Sequence, residues 1–281
     1  NSGYDYSPTT FSPDGRVFQV EYAAKAVEQS GTGLGVRCVD GVVMGVEKAI
    51  ISKMLLPGSN RRILTVNPNT GMATSGLPPD ARQIANFARS ESASYKGFYG
   101  HDISGKILAE RTAGHVHSHT LYWYLRPYGA QVMIANYDNE SGPQLYMIEP
   151  AGTVFKYFAC AMGKGKQGAK TELEKINFET ITCREAVDKV SEIIYKLHDD
   201  VKDKDFELEL TWVCAESNRK HMLVPEDLRQ EAIKKALAAK QKAEMEDSDD
   251  EGPKPAVVHA TPADDTPPVI EEHSDEEPPM V

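Results

Sequence analysis

Residues 11–28 read FSPDGRVFQVEYAAKAVE, and this stretch determines how the fold begins. The tetrapeptide at 12–15, Ser-Pro-Asp-Gly, predicts a tight turn, because Pro fixes φ, Asp bonds to nearby backbone and Gly accepts a positive φ. From Val17 onward, apolar residues recur at helical spacing, with Gln, Glu and Lys on the other side. The stretch therefore predicts a turn that leads directly into an amphipathic helix.

The segment after this helix has the period of β-strands. Two β-prone runs flank Asp40-Gly41, and an Asp-Gly pair in that position is a strong hairpin signal. Strands and pairs of helices then alternate, which favours an α+β fold with two sheets between helical layers. Residues 206–213 alternate apolar with polar side chains, so we expect a half-buried strand there. The other expected elements are helices at 17–29, 78–97, 104–124, 166–176, 183–198 and 225–245, and strands at 34–39, 42–47, 63–66, 72–75, 130–137, 144–148, 153–157 and 158–162.

Charge divides the chain into a near-neutral body and an acidic tail. The formal net charge is -11, and residues 244–281 hold thirteen Asp and Glu against one Lys, together with seven of the 17 prolines. Such a segment cannot bury enough apolar surface to offset its ordering entropy. We expect a mobile arm at 1–10, one domain with a substantial core at 11–243 and a disordered acidic tail at 244–281.

The cysteines carry no signal of a disulfide framework or a zinc motif. Cys38, Cys160, Cys183 and Cys214 are widely scattered and lack Cys-x-x-Cys spacing. Reduced thiols in a cytosolic or nuclear protein are the expected state. No apolar run reaches the length of a membrane span, and residues 1–10 are polar, so neither a membrane nor a secretory route is expected. No cofactor and no nucleic-acid partner is expected either.

A set of motifs spreads over residues 4–237. The motifs are Tyr4-Asp5, 11–16, 18–23, 40–43, 47–48, 75–77, 80–82, 126–129 and 145–150. Together they resemble the alpha-type subunits of the 20S proteasome core particle. The resemblance implies a four-layer αββα sandwich of the N-terminal-nucleophile hydrolase type, with an N-terminal helix across the top. Tyr6, residues 204–210 and the acidic tail are most similar to the alpha-type member that occupies the seventh ring position.

The resemblance also implies partners and a gate. It places the chain in a seven-membered ring of alpha subunits, stacked on beta-ring subunits, in cytoplasm and nucleus. In that family the amino-terminal arms close the pore through which unfolded polypeptide passes. The matching residues are Tyr4, Asp5, Pro13 and Tyr22, whose phenols and carboxylate can exchange hydrogen bonds between neighbours. The alternative is that Tyr22 only anchors the first helix to the core.

A docking site for a regulatory particle or other activators follows from the same resemblance. Activators with a carboxylate at their tail dock between neighbouring alpha subunits, where the family usually offers a Lys. The equivalent position falls at Arg61-Arg62, near Gly76 and Leu77, so Arg62 takes the place of that Lys. Arg binds carboxylates through its planar fork, with a reach that differs from that of Lys.

Peptide hydrolysis by this chain is not expected. The beta-type relatives use an amino-terminal threonine, and alignment places that nucleophile at Gly31, its acidic partner at Glu47 and its basic partner near Ile63. Gly31 lacks a hydroxyl, so the resemblance implies a structural and gating subunit. The alternative is an autonomous hydrolase that exposes Thr32 after processing.

Two motifs offer weaker signals. Residues 163–171, GKGKQGAKT, approach a P-loop, but Ala169 stands where the phosphate-binding Lys is required, so a tight strand-to-helix turn is the simpler interpretation. His115, His117 and His119 form H-x-H-x-H, and only the outer two share a helical face. Two imidazoles make a poor zinc site, so packing or hydrogen bonding at a subunit interface is expected.

The tail contains two candidate phosphorylation sites. Ser248 and Ser274 each precede a run of acidic residues, the pattern that acid-directed kinases favour. Phosphorylation there would add roughly -1.5 to -2 charge per site and strengthen binding to basic partners. The alternative is an unmodified, solvated tail.

Overall fold

The computed structural model describes residues 3–250, and two antiparallel sheets form its centre. One sheet has the strand order β10-β9-β2-β1-β8 and the other the order β3-β4-β5-β6-β7. The elements in chain order are α1 (Phe18–Glu28), β1 (Gly33–Arg37), β2 (Gly41–Ala49), β3 (Ile63–Asn67), β4 (Thr70–Gly76), α2 (Pro78–Tyr99), α3 (Gly105–Ser118), β5 (Ala130–Asp138), β6 (Gly142–Ile148), β7 (Val154–Lys156), β8 (Ala159–Met162), α4 (Lys166–Leu173), α5 (Cys183–Leu197), β9 (Phe206–Cys214), β10 (Met222–Leu223) and α6 (Glu226–Asp250).

Three apolar clusters hold four layers together. One cluster joins the β1-containing sheet to α4, α5 and α6, a second joins the other sheet to α2 and α3, and a third lies between the sheets. Side chains such as Met44, Met133 and Leu145 are fully buried in the third cluster. Each buried side chain of this size contributes about 1.5–3 kcal/mol relative to exposure. The predicted αββα sandwich is confirmed.

The opening turn and helix form as the sequence predicts. Ser12 accepts a backbone bond from Gly15 at 2.9 Å, and its hydroxyl donates to Asp14 at 2.6 Å. Gly15 has a φ of 78°, a conformation that favours glycine. α1 then buries Ala23 and Val27, while most of its surface stays partly or fully exposed.

α5 has the clearest apolar face of the helices, with Ala186, Val187, Val190, Ile193 and Ile194 buried. It begins at a capping box. The Thr182 hydroxyl accepts from the backbone N–H of Glu185 at 3.4 Å, and the Glu185 carboxylate accepts from the backbone N–H of Thr182 at 2.9 Å. Two backbone donors at the helix start are thereby satisfied.

Two sequence predictions about these elements are wrong. β9 was expected to be half-buried, but Glu209 and Thr211 are buried as well, because the strand lies between a helical layer and the second sheet. α3 was expected to reach 124 and ends at Ser118. The hydroxyls of Ser118 and Thr120 donate to backbone carbonyls of the last turn at 2.6 and 2.7 Å, which competes with helix continuation.

The carboxyl-terminal helix extends beyond the predicted start of the tail. α6 continues to Asp250, so the expected boundary at 243 falls inside a helix. Residues 251–281, including Ser274, lie outside the described residues, as does the side chain of Ser248. None of the described helices is both long and apolar enough to cross a membrane.

Candidate functional site

Three of the four predicted docking residues line one cavity. Arg62, Gly76 and Leu77 surround a space of about 350 Å³ beside the carboxyl end of α1. We call this space the Arg62 cavity, and its other lining residues are Ala26, Gln29, Ser30, Gly31, Val46, Glu47, Ala49 and Thr74. Arg61 points elsewhere. It pairs with Glu209 at 3.5 Å and lines a different cavity.

Arg62 brings a cation to this cavity, and among the described residues only one hydrogen bond from its side chain is found. Its Nη1 donates to the carbonyl oxygen of Gly76 at 3.1 Å, and its backbone N–H donates to the Glu209 carboxylate at 2.8 Å. Burial lowers the pKa of Arg62, although nearby Glu209 opposes the shift. A guanidinium has five N–H donors, so this side chain can accept a carboxylate without losing its bond to Gly76.

The rim of the cavity is held by backbone geometry and an ion pair. Gly76 has a φ of 111°, and a Cβ at this position would lie 2.2 Å from the carbonyl oxygen of Gly129. Leu77 donates its backbone N–H to that oxygen at 2.8 Å. Asp80 accepts from the backbone N–H of Gly129 at 2.8 Å and from both Nη atoms of Arg126 at 2.6 and 2.7 Å. Burial opposes ionisation of Asp80, but these bonds outweigh it and lower its pKa.

The predicted gating residues lie near the start of α1 without bonding to one another. No hydrogen bond within residues 3–250 joins Tyr4, Asp5, Pro13 and Tyr22. Asp5 accepts a bond from the Gln19 side chain through its backbone carbonyl, while its buried Oδ1 has no partner among the described residues. Tyr22 is 42% exposed, which disfavours the alternative that it only anchors α1 to the core.

The region around Gly31 contains a buried polar network rather than a free nucleophile. Thr32 is 2% exposed, donates its backbone N–H to Glu47 at 3.0 Å, and accepts at its hydroxyl from the backbone N–H of Gly165 at 3.1 Å. A Cβ on Gly31 would lie 2.1 Å from the carbonyl oxygen of Glu47. Ile63 is buried in the core between the sheets and supplies no base.

The network continues through a lysine from the glycine-rich segment. Lys164 pairs with Glu47 at 2.9 Å and with Asp203 at 2.8 Å, and His198 bonds to Glu47 at 2.8 Å. We call Thr32, Glu47, Lys164, His198 and Asp203 the Glu47 cluster. Burial opposes protonation of Lys164, but the two carboxylates outweigh it and raise its pKa.

The glycine-rich segment forms the tight turn that was predicted as the simpler interpretation. Gly163 has a φ of 84°, and α4 begins directly after Gly165. The ammonium group of Lys164 is held by two carboxylates, so it is not directed toward a phosphate site.

The three histidines make packing contacts and hydrogen bonds within the chain. His115 stacks on Phe87 with ring centroids 3.9 Å apart, and its Nε2 lies 3.0 Å from the Tyr128 hydroxyl. His119 bonds to the carbonyl oxygen of His115 at 3.0 Å, and His117 bonds to a loop carbonyl. Burial, with a smaller effect from His119, lowers the pKa of His115. The described residues place no metal cluster at these histidines.

Two protein-family models together match most of the residues that the structure describes. The family model for the N-terminal signature of A-type proteasome subunits matches residues 4–26, and the model "Proteasome subunit" matches residues 27–213. The chain belongs to the alpha-type proteasome subunits. Relatives of this alpha-type subunit include "Proteasome subunit alpha type-3" of Arabidopsis thaliana, 58% identical over 248 residues, which cover 88% of this chain and 98% of the relative. The Drosophila melanogaster protein of the same name is 48% identical over 250 residues, covering 89% and 97%.

A relative whose name carries a different type number matches over a similar length. In Saccharomyces cerevisiae, "Probable proteasome subunit alpha type-7" is 47% identical over 236 residues, covering 83% of this chain and 82% of the relative. The two family models together match residues 4–213, which contain every gating and docking residue predicted for this alpha-type subunit.

Sequence reasoning about this alpha-type subunit missed the residues that support its sites. Asp80 and Arg126 were identified only as parts of separate motifs, although an acid and a base in two motifs could have suggested their pairing. His198 and Asp203 follow α5 with no motif around them. Their contact with Glu47 depends on how β2 and α5 pack, and no local pattern carries that information.

Proposed function

We propose that this alpha-type subunit is a non-catalytic component of the outer ring of the proteasome core particle, where it gates substrate passage and docks activators. Its partners are neighbouring alpha subunits in a seven-membered ring, beta-ring subunits, a regulatory particle or other activators, and unfolded polypeptide in transit. The ring would operate in cytoplasm and nucleus. The observation that carries the docking role is the Arg62 cavity, which combines three expected docking residues.

The chemistry of this cavity suits a carboxylate-terminated peptide. Arg62 supplies a cation with free donors, and Leu77, 46% exposed, supplies apolar surface at the rim. A charge-assisted Arg–carboxylate contact is among the stronger hydrogen bonds in proteins. It also fixes the orientation of the carboxylate when two guanidinium N–H groups bind its two oxygen atoms. In this proposal the peptide's terminal carboxylate bonds to Arg62 and its penultimate side chains contact Leu77.

The gating role is supported by polar groups of the arm and of α1 that make no hydrogen bond among the described residues. The buried Oδ1 of Asp5 lacks a partner in the described chain, and the Tyr22 hydroxyl makes no hydrogen bond there. A buried carboxylate oxygen without a bond is costly, so a donor from a neighbouring subunit would stabilise it. Both residues lie within the matched N-terminal signature.

The absence of catalysis is supported by the Glu47 cluster. The Thr32 hydroxyl is buried and accepts a hydrogen bond from a backbone N–H, and Glu47 and Lys164 form an ion pair with each other. The buried side chains of α1 also precede Thr32 in the chain, so exposing Thr32 as a first residue would remove packed structure.

Substitution of Arg62 in the assembled particle tests the docking proposal. We expect Arg62→Ala to weaken stimulation of peptide hydrolysis by a synthetic carboxylate-terminated activator peptide about tenfold, because a charged hydrogen bond contributes roughly 1.5–3 kcal/mol. The measurement is the peptide concentration that gives half-maximal stimulation.

Arg61→Ala is the matched control, since Arg61 is adjacent but lines another cavity. It should leave the half-maximal concentration unchanged, and amidation of the peptide's terminus should reproduce the Arg62→Ala result in wild-type particles. Equal stimulation of wild type and Arg62→Ala would refute the docking proposal.

A further inference from the structure

Three of the four cysteines meet at one end of the β1-containing sheet, although they are far apart in the sequence. Cys38 follows β1, Cys183 is the first residue of α5, and Cys214 is the last residue of β9. All three side chains are at most 2% exposed. The fold therefore brings three thiols together, although their spacing in the sequence does not predict this.

A carboxylate completes the group. The sulfur atoms of Cys38 and Cys183 and a carboxylate oxygen of Asp40 all lie within 4.8 Å of one another. Cys214 lies in the same apolar cluster as Cys38 and Cys183, and it pairs with Gly41, the residue after Asp40, across β2 and β9. All three cysteines are free thiols. We propose that Cys38, Asp40, Cys183 and Cys214 form a binding site for one thiophilic divalent cation of the zinc type.

The donor set and its dimensions fit this cation. Zinc takes four ligands in a tetrahedron, with bonds of about 2.3 Å to thiolate sulfur and about 2.0–2.2 Å to carboxylate oxygen. Donor atoms around such an ion are then separated by roughly 3.5–3.8 Å. The donor atoms of Cys38, Asp40 and Cys183 already lie within 4.8 Å of one another and need only a small contraction to reach that geometry. Each coordinating thiol releases its proton to solvent when the metal binds.

The backbone holds these donors in place. The Asp40 carboxylate accepts from the backbone N–H of Cys183 at 2.8 Å, an outer contact of the kind that orients metal-binding carboxylates. The backbone N–H of Cys38 donates to the carbonyl oxygen of Gly41 at 2.7 Å, and that of Ala215 donates to the carbonyl oxygen of Asp40 at 2.9 Å.

A second cluster of potential metal ligands in the same chain is neutralised by a lysine side chain. The potential ligand atoms of Glu47, His198 and Asp203 also lie within 4.8 Å of one another. Here, however, the ammonium of Lys164 lies 2.9 Å from Glu47 and 2.8 Å from Asp203. That cluster already contains its cation. Asp40, by contrast, takes part in no ion pair within residues 3–250. The cysteine site therefore lacks an internal side-chain cation to take the metal's place.

Metal loading of the full chain tests the proposal. The chain is purified under reducing conditions, and its zinc is measured by elemental mass spectrometry. Replacement of zinc by Co²⁺ then reports the ligands, because thiolate coordination gives a near-ultraviolet charge-transfer band and tetrahedral geometry gives intense visible bands. We expect one metal per chain and both spectral signatures.

Three variants locate the site. Cys183→Ser should weaken the charge-transfer band, because it removes one of the thiolate ligands. Cys160→Ser should retain it, because Cys160 is also buried but lies in the core between the sheets, 3.2 Å from the Met133 sulfur. Asp40→Asn keeps an acceptor for the Cys183 N–H and should weaken zinc binding about tenfold or more.

A wild-type chain without the charge-transfer band would overturn the proposal, and so would a band of unchanged intensity in Cys183→Ser. If Cys183→Ser does not fold, alkylation of the wild-type chain decides instead. Chelation should then increase alkylation of Cys38, Cys183 and Cys214 relative to Cys160. Equal alkylation with and without chelator, or recovery of a disulfide among the three from metal-loaded protein, would refute the site.

Discussion

At the residue scale, Lys164 connects segments that are distant in the chain. Its ammonium joins Glu47 on β2 to Asp203 after α5. The Glu47 side chain is 4% exposed, whereas that of Lys164 is 32% exposed. Removing the lysine would therefore leave a buried carboxylate without its cation, which costs more than the loss of the pair itself.

We expect Lys164→Met to lower the free energy of unfolding of the full chain by about 2 kcal/mol at neutral pH. Lys175→Met is the control, because Lys175 pairs with Glu172 at the surface and is 63% exposed. Its effect should stay within about 0.5 kcal/mol. Urea unfolding measures both variants, and equal effects would show that Lys164 has no special structural role.

The loss of unfolding free energy caused by Lys164→Met should depend on pH, and the direction of that dependence follows from the pKa shifts. Burial opposes ionisation of Glu47, but bonds from Lys164 and Thr32 lower its pKa, and the bond from Lys164 also lowers the pKa of Asp203. A carboxyl whose pKa is lowered by folding adds stability above its unfolded-state pKa, and that stability is lost as the pH falls through the folded-state value. The penalty of Lys164→Met should therefore be largest near neutral pH and shrink as the pH falls below the ordinary carboxyl range.

At the element scale, α5 depends on its start as well as on its apolar face. The capping box at Thr182 satisfies backbone donors directly before Cys183 and orients the first turn over the sheet. We expect Thr182→Ala to reduce the free energy of unfolding by about 1 kcal/mol with an unchanged denaturant slope. Thr171→Ala, at an exposed position on α4 whose hydroxyl donates to a carbonyl of its own helix rather than capping a free N–H, should change it by less than about 0.5 kcal/mol. An unchanged unfolding midpoint for Thr182→Ala would contradict the role of the cap.

At the scale of the whole molecule, local patterns predicted elements better than they predicted contacts between layers. The Asp40-Gly41 hairpin and the α5 stripe are short-range signals, and both appear as expected. The burial of Glu209 and the convergence of Cys38, Cys183 and Cys214 depend on the packing of separate strands and helices. The resemblance placed Arg61 beside Arg62 in the docking site, but successive side chains of an extended segment point in opposite directions. Arg61 consequently faces Glu209 instead.

The whole chain also offers a test of its processing. Because α1 packs against β4 and β5 and Thr32 is buried, we expect the subunit recovered from its particle to keep the residues that precede Thr32. Denaturing mass spectrometry of gently purified particles measures this directly. A chain that begins at Thr32 would instead support the autonomous hydrolase.

The packing around Gly31 limits what a substitution there can achieve. Every residue that could place a nucleophile there, whether threonine, serine or cysteine, carries a Cβ, and that atom would lie 2.1 Å from the backbone carbonyl oxygen of Glu47. A single substitution at this position therefore produces a steric conflict before it produces any chemistry. With this packing, a hydroxyl at residue 31 requires a change in β2 as well, because the carbonyl group of Glu47 would have to move.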